Sequence, residues 1–380
     1  MKSKSFLIVV TLLLLTGCTF APKYIRPEAP VPREWPKGDA YQEVETTTVL
    51  PSVQQLRWQE FFPDRKLQSM IGIALENNRD LRLAALKVER LRAWYGIQRA
   101  ELLPSVDAVG SGSRERLPAD LSPSGKATTV EQYSVGLGIN GWEIDFFGRI
   151  RSLRNQALEQ YLASEEAKCG AQIMLVAEIA RAYYTLAADR EHLKIARATF
   201  ETQRNTYDLI RRRYDVGLAS EIEIRQAQTQ VETASREIAR YTQLVAQGEN
   251  LLDLLVGSSV PKDLFPENLE GVTPPKEIAP GTSSEVLLHR PDIMAAEHEL
   301  KAAHAFIGAA RAAFFPRIVL TTAMGTASSE LSGLFKGGSG AWSFSPQIVM
   351  PIFDPRTWSA YDASKVEREI FLAQYEKAIQ

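Results

Sequence analysis

The residues best placed to do chemistry stand at the start of the chain. Lys2 and Lys4 precede an apolar run from Phe6 to Leu15, and Leu15-Thr16-Gly17-Cys18 follows. The run is too short to span a bilayer as a mature helix but suits a signal-peptide core, with a small-residue cleavage site directly before a cysteine. This is a lipobox. The chemistry expected is removal of residues 1–17 and acylation of the Cys18 thiol and amine, which tethers the mature chain to a membrane facing the periplasm of a Gram-negative cell. Thr19 rather than aspartate comes next, which by the usual sorting rule points to the outer membrane. Cys169 has no partner once Cys18 is lipidated, and a lone cysteine in a helical stretch is expected to be a small packed residue.

Other reactive patterns are missing from the sequence. It holds no G-x-x-x-x-G-K-[ST] phosphate loop, no H-E-x-x-H, no G-x-S-x-G and no Cys-x-x-Cys, so neither catalysis nor a cofactor is expected. The Gly110-Ser111-Gly112-Ser113 stretch lacks the lysine of a phosphate cradle. His298 and His304, with Glu297 and Glu299, are the nearest approach to a metal set, but their six-residue spacing separates the imidazoles around a helix, so solvated or packed residues are expected. Arg211-Arg212-Arg213 reads as a solvated face, with a contact to a partner protein as the alternative. With 44 basic and 46 acidic residues among 380, the chain has no field to hold nucleic acid, and its 45% apolar composition can bury a sizeable core.

These groups need elements to position them. Residues 18–51 are rich in proline and polar residues with no period, and read as an extended linker leading away from the lipid. Beyond it the chain repeats itself. Arg79 to Pro104 aligns without a gap on Pro291 to Pro316: Asp80 meets Asp292, Gly96 Gly308, Arg99 Arg311 and Pro104 Pro316, a constant offset of 212 (292 minus 80). Each copy is an alanine-rich helical stretch that proline ends, and extended chain follows. Alternating segments are expected at about 105–116, 130–146, 317–327 and 341–352. Their apolar sets include Tyr133, Val135, Leu137 and Ile139, then Trp142, Ile144 and Phe146 after a phase flip that suggests a bulge near Gly141. Apolar on one side and small or polar on the other, with Tyr133, Trp142 and Trp342 at strand ends, they carry the signature of transmembrane β-strands.

The stretch 149–256 is a helical hairpin. Ile179, Leu186, Leu193, Phe200, Tyr207 and Tyr214 recur every seven residues, as do Ile224, Val231, Ile238, Val245 and Leu252, with Ala227, Ala234, Tyr241, Gly248 and Leu255 as a further row. From Arg149 to Tyr214 such a helix runs roughly 100 Å at about 1.5 Å per residue, a rod rather than a compact body. It breaks once, at Val216-Gly217-Leu218-Ala219-Ser220. There Gly217 can take a left-handed conformation, Ser220 can cap the returning helix, and Glu221 and Glu223 suit its positive end.

The strings "YSVGLGINGWEIDFFGRIR", "RYDVGLASEIEIRQA", "LLHRPDIMAAEHELKAAHAFIGAARAAFFPRIVLTT" and "LFKGGSGAWSFSPQIVMPIFDPR" resemble the outer-membrane factor family, the TolC-like exit ducts of tripartite efflux pumps. The resemblance covers nearly the whole mature chain and is nearest to the lipoprotein branch serving resistance-nodulation-division (RND) transporters for drugs or for copper and silver. It implies a mainly α fold with transmembrane β: long antiparallel helical hairpins forming an α-barrel, and four strands per chain in a trimeric twelve-stranded β-barrel. Four strands alone leave two open edges in lipid, which agrees with completion by other chains. It also implies a periplasmic adaptor and an inner-membrane RND transporter as partners, outer-membrane lipid around the barrel, and Val216, Gly217, Leu218, Ala219 and Ser220 as the adaptor-docking tip.

The repeats are expected as 52–275 and 276–380, the latter truncated. About 107 residues run from Arg149 to Val256, but only 24 follow Arg356 (380 minus 356), so the 380 residues are expected to be a fragment of a longer product or a non-functional truncation. A further departure is Pro355-Arg356 after Asp354, where the family carries a glycine pair, which bears on the strand-to-helix crossing. Two other readings fit parts of the sequence: an exit duct for type I protein secretion, and a lipid-anchored periplasmic coiled-coil scaffold without a pore.

Overall fold

The computed structural model describes residues 20–31, 56–277 and 284–380. The signal segment 1–17, Cys18 and most of the linker lie outside the described residues. In chain order the elements are α1 (Trp58–Phe61), α2 (Arg65–Asn77), α3 (Arg79–Ala100), β1 (Asp107–Leu117), β2 (Thr128–Glu143), α4 (Arg149–Asp215) and α5 (Glu221–Val256). Then come α6 (Pro291–Ala312), β3 (Arg317–Ser328), β4 (Gly340–Val349) and α7 (Pro355–Ile379). The fold is mainly helical, with one four-stranded antiparallel sheet in the order β1-β2-β3-β4. Among the described residues no helix is long and apolar enough to cross a membrane.

Contacts divide the chain into two compact units that do not follow the two sequence halves. One takes the described parts of Met1–Val31, Val88–Glu165 and Asp292–Gln380; the other takes those of Pro32–Lys87 and Glu166–Pro291. The halves interleave because β2 of the first pairs with β3 of the second.

In the first unit the duplication is visible as geometry. Helices α3 and α6 begin and end at offset-matched residues, 79 with 291 and 100 with 312. Four helices stand in a row: α3 meets α4 where Tyr95 stacks on Tyr161, and α4 meets α6 where His298 Nδ1 lies 2.6 Å from Glu159 Oε2. In turn α6 meets α7 where Arg311 Nε donates to Tyr361 Oη and Phe314 packs edge-on against Trp358. Their surroundings differ sharply. Helix α6 buries Ile293, Leu300, Ile307 and much of its alanine face, whereas α3 buries no residue.

The second unit is a conventional core. On α2, Leu67, Met70, Ile71 and Ala74 form an i, i+3, i+4, i+7 stripe, packed against Ile179, Tyr183 and Leu186 of α4 and Leu252 and Val256 of α5. Asp64 caps α2 by accepting from Leu67 N, and Tyr183 Oη donates to the same carboxylate. Burial beside Asp64 pushes the Tyr183 phenol well above its ordinary value. The seven-residue rows lie inward except beside the turn, where Tyr214 is exposed: Ala227, Ala234 and Leu252 are buried, and Gly248 lets Leu186 approach so closely that a Cβ there would sit 3.2 Å from Leu186 Cδ1.

Candidate functional site

Register assigns every strand residue to one of two faces, because successive side chains alternate. Pairings Val135↔Gly110, Leu137↔Met324, Met324↔Trp342, Thr322↔Phe344 and Ile318↔Ile348 gather the apolar sets on one face. The opposite face takes Val109, Ser111, Ser134, Gln132, Gly136, Ala323, Gly325, Ala341, Ser343 and Ser345, and Ser111 and Ser134 share a 2.7 Å hydroxyl bond there. The register shifts between Ile139 and Trp142 at Gly141, whose φ is 72°, and the shift keeps Trp142 opposite Leu320 on the apolar face. Gly136 and Gly325 face each other so closely that a Cβ on Gly325 would lie 2.2 Å from Val135 O. The strands differ from the expected bounds by a few residues; β2 stops at Glu143 and β4 at Val349, before Met350-Pro351.

Below the sheet, ion pairs fix the crossing to helix. Glu143 accepts from Arg149 Nε and Nη2, both at 2.8 Å, and from Arg317 Nη2 at 2.7 Å, which ties β2, β3 and the start of α4 together. The other crossing, from β4 to α7, is regular despite the departure noted in the sequence. Asp354 caps α7 by accepting from Arg356 N, and Pro355 occupies the first turn, where a missing N–H costs nothing.

The described part of the N-terminal linker is seated on α6 and runs along it from the sheet end, at Phe315, toward its start, at Glu297. Phe20 stacks on Phe315 at 4.4 Å between centroids, Arg311 Nη1 donates to Phe20 O, and Arg26 makes a two-pronged bond to Glu297 at 3.0 and 2.5 Å. Tyr24 Oη donates to the same carboxylate, and Lys301 lies 3.1 Å from it. Burial by itself would raise the Glu297 pKa, but the Arg26 and Lys301 bonds outweigh it and hold the carboxyl below its ordinary range. No periodic signal in the sequence marks this strap; the only hint is an acid set in an alanine-rich helix.

At the hairpin turn the expected chemistry is present. Leu218 N donates to Arg213 O at 2.7 Å and Gly217 N to Tyr214 O at 2.8 Å, with Gly217 at φ 78°, so α4 ends in a Schellman motif. Ser220 begins α5 with a capping box: its hydroxyl accepts from Glu223 N, and its own N–H donates to Glu223 Oε2 at 2.6 Å. These bonds, the backbone one first, lower the Glu223 pKa. Val216, Leu218 and Ile222 are each more than two-thirds exposed, while Ala219 lies partly covered between them and the cap.

The imagined metal set is dispersed: Glu297 is held by Arg26, His298 by Glu159, and His304 packs edge-on against Tyr24. Among the described residues no group of histidines, cysteines and acids is placed to hold a metal. Cys169 corrects an expectation, since its thiol is free and exposed rather than packed. It borders an apolar hollow of about 530 Å³ with Trp58, Phe61 and Ile173.

A sheet greasy on one face and hydroxyl-lined on the other, joined to long helices, defines a subunit of a membrane channel. The model of the outer membrane efflux protein family matches residues 70–258 and 282–380, and the chain belongs to that family. The antibiotic efflux pump outer membrane protein ArpC and the toluene efflux pump outer membrane protein TtgC, both of Pseudomonas putida, are each 47% identical over 380 residues. These matches cover 100% of this chain and 78% of each relative. The open state of the MtrE outer membrane channel of Neisseria gonorrhoeae superposes with a TM-score of 0.82 at 37% identity, covering 96% of this chain and 79% of that one. The protein is therefore an outer-membrane channel component of an efflux system, a transport protein rather than an enzyme.

Proposed function

We propose that three copies of this chain close a twelve-stranded barrel and a helical conduit. This conduit is the passive exit duct of a tripartite pump with a periplasmic adaptor and an inner-membrane RND transporter. The observation that carries the reading is the sheet: four strands with opposed faces and two unpaired edges, β1 and β4, which lipid cannot satisfy. The relatives named for antibiotic and toluene efflux support small organic toxicants as cargo in preference to metal ions. Expression in a strain lacking its own exit duct, together with the cognate pump and adaptor, tests this. Restored resistance to toluene or antibiotics is expected, and resistance to copper or silver alone would redirect the cargo assignment.

The exposed turn Val216-Gly217-Leu218-Ala219-Ser220 is the adaptor-docking tip in this reading. Its support is the pair of bare aliphatic side chains, Val216 and Leu218, that a turn alone does not require. Gly217→Trp or Leu218→Glu should abolish efflux and adaptor cross-linking while trimer content stays normal. Full resistance with unchanged cross-linking in both variants would reduce the segment to a turn. Acylation of Cys18 completes the proposal, as the anchor that holds the N-terminus at the membrane.

A further inference from the structure

The apolar face of the sheet has a definite height, and charge stands above it. Ile318 pairs with Ile348 near the helices, and ten residues further along β3 (328 minus 318) Ser328 pairs with Tyr133. Ten residues at about 3.4 Å each, tilted by about 40°, rise roughly 26 Å, the height of the apolar band of a membrane barrel. Tyr133 therefore marks the limit of that band at the end away from the helices, where an amphipathic ring belongs.

Strands β1 and β2 continue past Tyr133. Gly112 stands opposite it on the same face, where an added Cβ would lie 3.1 Å from the ring. The next pairs on this face are Arg114 with Glu131 and Arg116 with Thr129, while Glu115 points to the opposite face. By the same geometry the two arginines lie about 5 and about 10 Å beyond Tyr133. A cation facing lipid costs about 2–4 kcal/mol at the midplane and almost nothing at the interface, so this height is what admits them. Glu131 is already engaged: Arg114 Nε lies 2.9 Å from its Oε1, and Tyr133 Oη donates to its Oε2 at 3.3 Å. It orients Arg114 and cancels one of two charges. Arg116 is exposed, and no bond to its guanidinium is seen among the described residues.

We infer that Arg114 and Arg116 form a binding site for the phosphate of a phosphorylated glycolipid in the outer leaflet, one site on each copy of the chain. Arg116 supplies the net charge and a planar fork that matches a phosphate, and Arg114, held by Glu131, presents its remaining N–H groups beside it. The ring of Tyr133 beneath them meets the upper part of the acyl chains. A lipid source fits the site better than a free anion, because the two arginines continue the lipid-facing side of the strands rather than the hydroxyl-lined one.

The inference uses the outer-membrane placement of the sheet and is independent of the cargo and the adaptor. Full-length protein, extracted in its native assembly in mild detergent, would be titrated with lipid A carrying both phosphates and with the dephosphorylated form, and read by native mass spectrometry. Wild type should bind the phosphorylated form about tenfold more tightly. Arg114→Gln/Arg116→Gln should lose that preference at equal assembly, and Arg114→Lys/Arg116→Lys should keep part of it. Inorganic phosphate at the concentration of the lipid should displace nothing; displacement would make this a site for free anions and overturn the lipid assignment. Equal binding of the two lipid forms by wild type, a comparison that needs no variant, would overturn the site. An unchanged preference in the double glutamine variant would overturn the assignment to these arginines.

Discussion

At the scale of single residues, the strap bond between Arg26 and Glu297 is the sharpest case. The Glu297 side chain is only 6% exposed, and Arg26 supplies two of its partners. Arg26→Ala leaves that carboxylate with Tyr24 and Lys301, and should cost about 1–3 kcal/mol, less than a fully buried pair because Arg26 itself is half exposed. The urea midpoint in detergent would report it. The pH dependence has a definite sign. A depressed acid contributes its full share above the unfolded value, about 4.3 for glutamate, and loses it as pH falls through the lower folded value. Below about pH 4 the wild-type midpoint should therefore drop more steeply than that of Glu297→Gln. None of this was legible in the sequence, since 271 residues separate Arg26 from Glu297 and no local pattern links them. The exposed Cys169 escaped for a related reason: helical context does not say which side of a helix another element will cover.

Elements were far more legible, because period is a local property. The seven-residue rows predicted the hairpin, Gly217 its left-handed turn and Ser220 its cap, all now seen, whereas Glu223, expected for its charge at the helix start, also closes a capping box that the sequence reading did not include. Gly217→Ala should cost about 1–2 kcal/mol from backbone strain alone, as no neighbour crowds a Cβ there. Ser220→Ala should cost about 1 kcal/mol through loss of the cap. Both effects should appear as faster hydrogen exchange at residues 216–223 with the rest of the hairpin unchanged. The alternation of two likewise predicted the strand faces, including the bulge at Gly141; the Gly136–Gly325 approach needed the register between halves. Lysine at Leu137 or Met324, on the apolar face, should cost about 2–4 kcal/mol near the bilayer midplane and lower the amount inserted in the outer membrane. Ser134→Lys, on the opposite face, should insert normally.

For the molecule as a whole, the anchor and the sheet make separable claims on the membrane. Cys18→Ser should abolish fatty-acid labelling and leave unprocessed precursor, while a reduced amount of protein still reaches the outer membrane through its strands. Equal labelling of wild type and variant would remove Cys18 from the account. The two-copy plan was legible because duplication leaves matched strings, but the interleaving of the halves was not, since strand partners are chosen by three-dimensional closure rather than by order along the chain.

The seated strap also sets an order in time. Tyr24 and Glu297 are 273 positions apart, so the segment that is synthesised and exported first meets its partner helix only after most of the chain has followed. Contacts of such sequence separation form late, because the intervening loop must close before any of them is gained. A chain halted short of α6 keeps a loose leading end however well its hairpin has folded. Seating of residues 20–26 therefore waits until the second half of the chain has been made.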